Sequence, residues 1–310
     1  MEQGKTNGGE KAKRLRPFIY WTGGKSKNMF YIARNYPRRE FTKYCEPFLG
    51  SGVVMLDVIE KYKIKSVLAN DINKELINTF EQVRDNVDDV IERFKKMEDE
   101  YIALAEVEDG QKNFYYNKRK LYNEVIEGGG EDLDDIDIAV LFLFINRTCK
   151  DGNYRVNKQG YFTTPWNERI LTHSTLNEDD LRDVAKALHG VKFTTASYKS
   201  CMSFIDEDTF VYLDPPYIYD IEPQPKFKSI SIPYCTEPFT TERFIEFKEF
   251  VDKVHDTGAS VLVTIPSREK DGEKDKVREL FNEYRIKEIG VGKPDENGNK
   301  SRFEFAISNY

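Results

Sequence analysis

Short apolar stretches alternate with amphipathic helical stretches in two parts of this 310-residue chain. The helical stretches are marked by apolar residues at helical spacing, and the second ends at Gly258, a residue type common just past a helix end. Because a strand, a helix and a further strand in alternation need crossover connections, the pattern is typical of a mostly parallel sheet. Strands are predicted over residues 66–71, 191–197, 210–214 and 259–265, and long helices over residues 73–94 and 242–258.

Two further features complete the predicted fold. The last apolar segments, residues 284–292 and 301–310, alternate enough to form a closing hairpin around the polar turn DENGNK. Residues 101–189 lose the strand–helix alternation and carry helix-like stretches, a run of three glycines and an aromatic, basic loop. The sequence therefore predicts an α/β fold with a Rossmann-like core and an inserted, mainly helical lobe. The core spans residues 17–100 and 190–310, the lobe residues 101–189, and a polar, disordered tail residues 1–16.

Composition argues against several classes of protein. No apolar run is long enough to cross a bilayer, and the first residues lack the apolar core of a secretory signal, so we expect a cytoplasmic protein without a membrane segment. The cysteines lie far apart without a CxxC pair, and only three histidines are present, so we expect neither a metal centre nor a disulfide framework. The four cysteines are Cys45, Cys149, Cys201 and Cys235.

The net charge of −7 argues against a nucleic-acid partner, because binding to phosphates needs lysine and arginine. The charges are unevenly distributed, however. Acidic residues concentrate in predicted surface helices such as residues 85–100, whereas one aromatic segment carries several basic side chains. A local basic face is therefore compatible with this composition. The basic residues of that segment are Arg147, Lys150, Arg155, Lys158 and Arg169.

The stretch FVYLDPPYIYD ends an apolar strand in an acid, two prolines and an aromatic residue. Two consecutive prolines cannot donate to a sheet ladder, so the strand must stop there. Asp214 and Tyr217 are then held at its carboxyl end, which is the edge where open α/β sheets bind ligands. Taken alone, the stretch is equally compatible with a strand that simply stops at a Pro-Pro turn.

A second stretch, EPFLGSG, opens a predicted helix with glycines, which let backbone amides approach a ligand closely. Asp71 ends the next strand, 19 residues after Gly52, where an acid can hydrogen-bond ribose hydroxyls. Met55 stands where the third glycine of a dinucleotide fingerprint would be. The proline before Phe48, and an acid in place of a phosphate-binding lysine, favour a nucleoside ligand without a pyrophosphate, so S-adenosylmethionine fits better than NAD.

The Asp-Pro-Pro-Tyr stretch has a chemical interpretation. An exocyclic amine on a nucleobase is a poor nucleophile, because its lone pair is delocalised into the ring. Hydrogen bonds from its two N–H groups to the Asp214 carboxylate and the Pro215 carbonyl would hold the nitrogen in an attacking geometry. The ring of Tyr217 would stack on the base once the base leaves the duplex.

Together, YWTGGK, EPFLGSG, the lobe and DPPY resemble, in this order from about Phe18 to the C-terminus, the Dam-type (alpha-group) DNA adenine-N6 methyltransferases, phage-encoded members included. The resemblance implies a methyltransferase sheet, S-adenosylmethionine as cofactor and a lobe that recognises double-stranded DNA through a β-hairpin. It implies no obligate protein partner, and it makes GATC the best candidate for the target. NRTCKDGNYRVNKQGYFTTP resembles the recognition segment, in which Arg155 would read a guanine edge.

The resemblance and the chemistry together define three sets of predicted site residues. The catalytic set is Asp214, Pro215, Pro216 and Tyr217. The cofactor set is Trp21, Gly23, Lys25, Glu46, Phe48, Gly50, Gly52, Asp71, Ile72, Tyr198 and Asp214. The DNA-binding set is Arg147, Asn153, Arg155, Lys158 and Arg169.

Two other functions stay open from the sequence. Methylation of cytosine N4 would use the same acceptor pair, because that amine presents the same two N–H groups. A sequence-specific DNA-binding protein without turnover would keep the fold, and the proline-rich residues 221–239 after DPPY depart from the usual loop of the family. Thr264 to Ser267 also stand where the family commonly has a Ser-Asn pair, at the end of the strand that follows the next helix. FTTPWNER lacks the glycine that often follows the aromatic residue.

Overall fold

A computed structural model describes residues 14–21, 23–129, 132–216, 240–267, 273–290 and 303–310. These residues build a seven-stranded sheet in the order β3-β2-β1-β4-β5-β7-β6. The strands β1 to β5 run parallel, and β7 runs antiparallel to both of its neighbours. The predicted Rossmann-like sheet with an antiparallel closing hairpin is confirmed. The strands are β1 (Lys43–Glu46), β2 (Ser66–Asp71), β3 (Val191–Thr195), β4 (Thr209–Leu213), β5 (Ser260–Ser267), β6 (Arg285–Ile289) and β7 (Phe303–Ser308).

Helices cover both faces of the sheet and build most of the lobe. Within the described ranges the α-helices are α1 (Met29–Ala33), α2 (Val53–Lys61), α3 (Lys74–Asp85), α4 (Val87–Ile102), α5 (Gly110–Ile126), α6 (Asp135–Thr148), α7 (Glu178–Ala187), α8 (Thr241–Asp256) and α9 (Glu273–Leu280). Short 3₁₀ segments cover Lys25–Lys27, Lys150–Gly152 and Tyr198–Phe204.

The single long helix predicted over residues 73–94 is wrong, because the chain breaks there into α3 and α4. Asn86 separates them with φ −136° and ψ 38°, outside helical geometry. Its side-chain amide donates to Gln82 Oε1 at 2.8 Å, and asparagine often favours such local bonds over helix continuation. The apolar spacing continues across the break because both helices pack against α6. The periodicity identified the buried face correctly and missed the change of direction.

The lobe shares its core with the sheet. Helix α6 begins with a capping box, in which Asp134 accepts from the Asp137 amide and Asp137 accepts from the Asp134 amide. Nine of its residues are buried, so this helix is apolar around most of its circumference. It packs against α3, α4 and α5. Helices α3 and α6 therefore connect the lobe to the sheet through one continuous hydrophobic core.

Two sequence expectations concern the N-terminus and the cysteines. Residues 1–13 of the predicted tail lie outside the described residues, while the Arg14 guanidinium contacts Asp57 at 3.2 Å and the Leu15 amide donates to Glu60. Cys45, Cys149 and Cys201 are buried free thiols, and Cys235 is outside the described ranges.

In the part of the chain that the structure describes, no helix is both long and apolar enough to cross a membrane.

The order of the strands brings three acidic residues to one edge of the sheet. Strand β1 lies between β2 and β4 and runs parallel to both. Glu46 ends β1, Asp71 ends β2, and Asp214 directly follows β4. Carboxyl ends of neighbouring parallel strands meet at the same edge, and this is where α/β sheets bind ligands.

Candidate active site

A cavity of about 390 Å³ opens at this edge of the sheet. Its volume is within the range of small-molecule sites. It is lined by residues from the ends of β1, β2 and β4, from the segment before α1 and from the start of the Tyr198–Phe204 segment. The predicted residues on its wall are Trp21, Gly23, Lys25, Glu46, Phe48, Gly50, Asp71, Ile72, Tyr198, Asp214, Pro215 and Pro216.

Gly50 has a backbone conformation and a close neighbour that both favour glycine. Its φ is +49°, a conformation that side chains with a Cβ rarely adopt, and a Cβ there would lie 2.9 Å from Cδ1 of Trp21. Gly52 has φ +66° and caps α2, where a Cβ would meet the Phe80 ring at 3.0 Å. Gly52 therefore serves the packing of α2 and does not line the cavity, whereas Gly50 does.

Asp71 is held by the backbone of its neighbours. Its Oδ2 accepts from the Gly50 amide at 3.0 Å, and its Oδ1 accepts from the Asn73 amide at 3.0 Å. Burial raises the pKa of Asp71 even though these amide donors oppose the shift. The next residue, Ile72, leaves 66% of its surface exposed and lines the cavity beside Asp71. The end of β2 thus presents a fixed carboxylate and an apolar side chain side by side.

An aromatic group forms another part of the wall. The rings of Phe48 and Tyr198 lie 5.2 Å apart, and both pack against Phe247 of α8. Glu46 lines the same cavity from the end of β1, where it is buried and accepts from the Tyr44 hydroxyl at 2.6 Å. Burial raises the pKa of Glu46 well above its ordinary value. A planar apolar ligand beside a polar group fits such a wall.

Asp214 lies beside a buried lysine. The Lys25 ammonium is 3.0 Å from Asp214 Oδ1 and 3.0 Å from Glu304 Oε1, and the Thr264 hydroxyl donates to the same Oδ1 at 3.3 Å. Burial raises the pKa of Asp214 to about 6, although Lys25 opposes the shift. Burial disfavours the charged form of Lys25, but the two carboxylates outweigh it and raise the pKa of Lys25 above its ordinary value.

Pro215 and Pro216 follow Asp214 on the cavity wall, where the sequence predicts them because two prolines end the strand. Pro215 is buried and Pro216 is half-buried. Tyr217, the predicted stacking residue, lies outside the described residues.

Trp21 connects the cavity with the lobe. One edge of its ring lies against Gly50. Its face stacks on the ring of Tyr154, with centroids 5.2 Å apart and planes inclined by 17°. Gly23, with φ +76°, and Gly24 turn the chain next to it, and the Gly24 amide donates to the Trp21 carbonyl at 2.9 Å. Trp21 therefore lies between the glycine loop and the residue that precedes Arg155.

Residues 149–167 form an irregular hairpin in the lobe, called the lobe hairpin below. Its arms meet in two antiparallel bridges, Cys149 with Trp166 and Val156 with Phe162. Arg155, Lys158 and Arg169 are exposed on or just after it, whereas Asn153 is half-buried. The structure thus brings three of the five predicted DNA-binding residues to the surface of the lobe.

Arg147 is half-buried instead, with its guanidinium on backbone carbonyls. Its guanidinium donates to the carbonyls of Thr175 at 2.5 Å and Phe18 at 2.8 Å, and it lies over the ring of Tyr20. Burial lowers the pKa of Arg147. These contacts join the start of the core to the lobe, so we assign Arg147 a structural role and leave it out of the DNA contacts proposed below.

Comparison with known families gives a direct match. The model of the D12 class N6 adenine-specific DNA methyltransferases matches residues 21–291. The chain belongs to this family. It is therefore an enzyme of the adenine-specific DNA methyltransferase class, and the resemblance of its motifs to Dam-type enzymes is confirmed.

Relatives across bacteria and archaea support the assignment. The methyltransferase is 32% identical over 254 residues to the "Type II methyltransferase M.MjaIII" of Methanocaldococcus jannaschii, an alignment covering 81% of this chain and 84% of the relative. It is 34% identical to a "DNA adenine methylase" of Haemophilus influenzae, over 65% and 64% of the two chains. It is also 24% identical to the "Type II methyltransferase M1.LlaDCHI" of Lactococcus lactis, over 96% of each.

Among the residues that support the site from outside the cavity wall, four were not predicted from the sequence. Asn70 ties two loops of the cavity together, because its amide donates to the carbonyls of Pro47 and Ala196 at 3.0 Å. Its place before Asp71 on a buried strand was a usable signal, since a buried amide needs partners. Tyr154 and Glu304 reach the site only through tertiary contacts with Trp21 and Lys25, which no local pattern contains. Thr264 belongs to the stretch that replaces the Ser-Asn pair of the family, and its contact with Asp214 was not predicted.

Proposed function

We propose that this methyltransferase transfers the methyl group of S-adenosylmethionine to N6 of an adenine that has been flipped out of duplex DNA, at a short site for which GATC is the best candidate. One observation carries the proposal. Asp214 and Pro215 line the same cavity as Gly50 and Asp71. The acceptors for an amine and the groups for a nucleoside cofactor therefore share one space, as direct transfer requires.

The cofactor half of the cavity suits S-adenosylmethionine. Gly50 lines this half of the cavity and lets the Trp21 ring lie against its backbone. Asp71 accepts the Gly50 amide on Oδ2 and the Asn73 amide on Oδ1, and carboxylate oxygens with further lone pairs suit a ribose hydroxyl. Ile72, Phe48 and Tyr198 would enclose the adenine ring of the cofactor. When bound, the cofactor supplies an electrophilic sulfonium methyl group. The protein supplies no phosphate-binding lysine in this loop, in agreement with a ligand that lacks a pyrophosphate.

The catalytic half of the cavity supplies hydrogen-bond acceptors. The Asp214 carboxylate and the Pro215 carbonyl would accept the two N–H groups of the adenine amine and orient its lone pair toward the methyl carbon. In duplex DNA this amine is paired and stacked, so the adenine must leave the helix to reach a cavity in the protein. Tyr217 remains our candidate for stacking on the extruded base.

The lobe, residues 101–189, is proposed to recognise the target. Arg155 is exposed on the lobe hairpin and would read a guanine through a bidentate contact worth roughly 1–3 kcal/mol of discrimination. Lys158, Arg169 and Asn153 would add phosphate or base contacts. Most protein–DNA hydrogen bonds go to the backbone, so we expect the two cationic residues to contribute mainly affinity.

The first experiment is incorporation of labelled methyl groups from S-adenosylmethionine into unmethylated duplex DNA, followed by nucleoside analysis and mapping of the modified sites. We expect N6-methyladenine at one short sequence. A matched duplex with its GATC sites altered at the first guanine tests the target. Detection of N4-methylcytosine would instead show that cytosine, and not adenine, is the methylated base. A folded, cofactor-binding protein that binds DNA tightly and transfers nothing would overturn the proposal in favour of DNA binding without turnover.

A further inference from the structure

Glu304 reaches the active site from the far end of the chain. It lies on β7, paired with Pro266 of β5 and Ile289 of β6, and only 9% of its surface is exposed. It is absent from the cavity wall. Its Oε1 accepts from Lys25 Nζ at 3.0 Å across 279 positions of sequence. Lys25 lies between Glu304 and Asp214, so Glu304 can act on Asp214 only through this ammonium and through space.

The arrangement is costly for folding. Lys25 is only 4% exposed, and Glu304 Oε2 is buried with no hydrogen-bond partner in the described residues. A buried acceptor without a partner destabilises the fold, and apolar replacements of buried ion pairs are often neutral or stabilising. Packing alone therefore gives no reason for a carboxylate at this position, which points to a role in the site.

The contacts of the Asp214 carboxylate indicate this role. Within the described residues both contacts to its carboxylate end on Oδ1, from the Lys25 ammonium at 3.0 Å and from the Thr264 hydroxyl at 3.3 Å. Thr264 is itself fixed by the Tyr212 hydroxyl at 2.7 Å. Two donors on one oxygen set the rotation of the carboxylate and leave Oδ2 for another partner.

We propose that Glu304 is a positioning residue for methyl transfer: it holds the Lys25 ammonium on Asp214 Oδ1, so that Oδ2 faces the amine of the target base. The inference rests on the proposed function, because the amine is the partner that it assigns to Oδ2. Without Glu304, Lys25 keeps one carboxylate partner and gains freedom to move. A misplacement of about 1 Å in a reacting group can cost roughly 100-fold in rate.

The pH dependence of activity gives a second test, because the charge of Glu304 acts on the pKa of Asp214. Asp214 is faced by Lys25, by Glu304, by the hydroxyls of Thr264 and Tyr212, and by Glu46. Burial raises its pKa to about 6, Lys25 opposes the shift and Glu304 adds to it. Only the carboxylate accepts freely, so activity should fall as the pH drops through about 6. Neutralising Glu304 removes a nearby negative charge, lowers the pKa of Asp214 and moves this acid limb to lower pH.

Glu304→Ala and Glu304→Gln test the inference in single-turnover methylation of duplex DNA at saturating cofactor. We expect the alanine variant to lose roughly 10- to 100-fold in rate with cofactor affinity within about twofold of wild type. Glutamine keeps an acceptor for Lys25, so it should recover most of the rate and shift the acid limb to lower pH. Asp206→Asn is the matched control, because it breaks a lysine–carboxylate pair at the opposite end of the sheet.

The outcomes separate the two levels of inference. Wild-type protein that transfers no methyl group overturns the proposed function and this inference with it. An active wild-type enzyme with an equally active Glu304→Ala variant overturns the inference alone. If the alanine variant fails to fold, the glutamine variant is the test. A Glu304→Gln enzyme whose activity falls at the same acidic pH as that of the wild type would overturn the role of Glu304.

Discussion

The catalytic edge and the lobe hairpin are built in different ways. The catalytic edge, residues 46–52, 71–72 and 214–216, takes its shape from strand ends, glycine conformations and prolines. The lobe hairpin has two bridges and a few backbone hydrogen bonds between its arms, such as the one from the Thr163 amide to the Arg155 carbonyl, and side chains of α5 hold it in addition. The Tyr115 hydroxyl donates to the Thr164 carbonyl, and the Asn123 side chain donates to the Phe162 carbonyl and accepts from the Phe162 amide.

This difference has a functional consequence. A backbone-defined edge depends on a few residue types at fixed spacing, so it supports one reaction and tolerates little change. A hairpin that is held through its backbone groups can exchange its exposed side chains, such as that of Arg155, while the contacts underneath persist. We infer that the chemistry and the target sequence of this methyltransferase can vary separately, except where Trp21 joins the two regions.

Removing the Asp214 carboxylate should have the largest effect. Asp214→Ala deletes one of the two acceptors that we propose for the amine, and we expect methyl transfer to fall by roughly 10³-fold or more at every DNA sequence. Cofactor affinity should change little, because Asp71 and the glycine loop remain. Single-turnover rates and equilibrium binding of S-adenosylmethionine give the two quantities. Wild-type turnover by this variant would remove Asp214 from the mechanism.

Gly50→Ala tests the backbone side of the comparison. The added Cβ would meet Trp21 at 2.9 Å in a backbone with φ +49°. The left-handed conformation alone costs a residue with a Cβ about 1–2 kcal/mol. We expect a lower melting temperature and about tenfold weaker cofactor binding, since Gly50 also lines the cavity.

Gly190→Ala is the matched control for this change. Gly190 has φ +82°, and a Cβ there would meet nothing within 4 Å. It should lose stability from the backbone conformation and keep full cofactor affinity. Equal cofactor affinity in both variants would show that the contact of Gly50 with Trp21 does not shape the cofactor site.

The same contrast explains what the sequence could predict. Strand ends, prolines and glycines are local, and the parallel order of the sheet follows from strand–helix alternation, so Asp71 and Asp214 were placed at one edge correctly. The break at Asn86 was missed because the apolar spacing continues through it. Glu304 was missed because its partner, Lys25, is 279 positions away. The half-buried position of Arg147 was missed because its guanidinium binds the carbonyls of Phe18 and Thr175. Every residue has a carbonyl group, so the sequence does not mark these two as partners.

Arg155→Ala tests the recognition side of the comparison. If Arg155 reads a guanine, its loss should cost roughly 1–3 kcal/mol at the cognate base and less at other bases, so that specificity at one position relaxes. The rate constant kcat/KM on a set of duplexes with single substitutions measures this. Lys158→Ala is the control, because loss of a phosphate contact should weaken all sequences equally and reduce the dependence of binding on salt. Uniform weakening by Arg155→Ala would reassign Arg155 to the DNA backbone.

The smallest expected effect concerns the stack of Trp21 on Tyr154, where the two regions meet. A double-mutant cycle with Trp21→Leu and Tyr154→Leu should give a coupling of about 0.5–1.5 kcal/mol in kcat/KM, the usual range for an aromatic pair. Tyr154→Phe is the control, since it keeps the ring and loses only the hydrogen bonds of the hydroxyl, with Tyr122 and with Asn73. It should therefore retain the coupling with Trp21→Leu. Zero coupling with the leucine variant would mean that the stack does not link the cofactor site proposed at Gly50 to the DNA contact proposed at Arg155, and the separation of the two regions would then be complete.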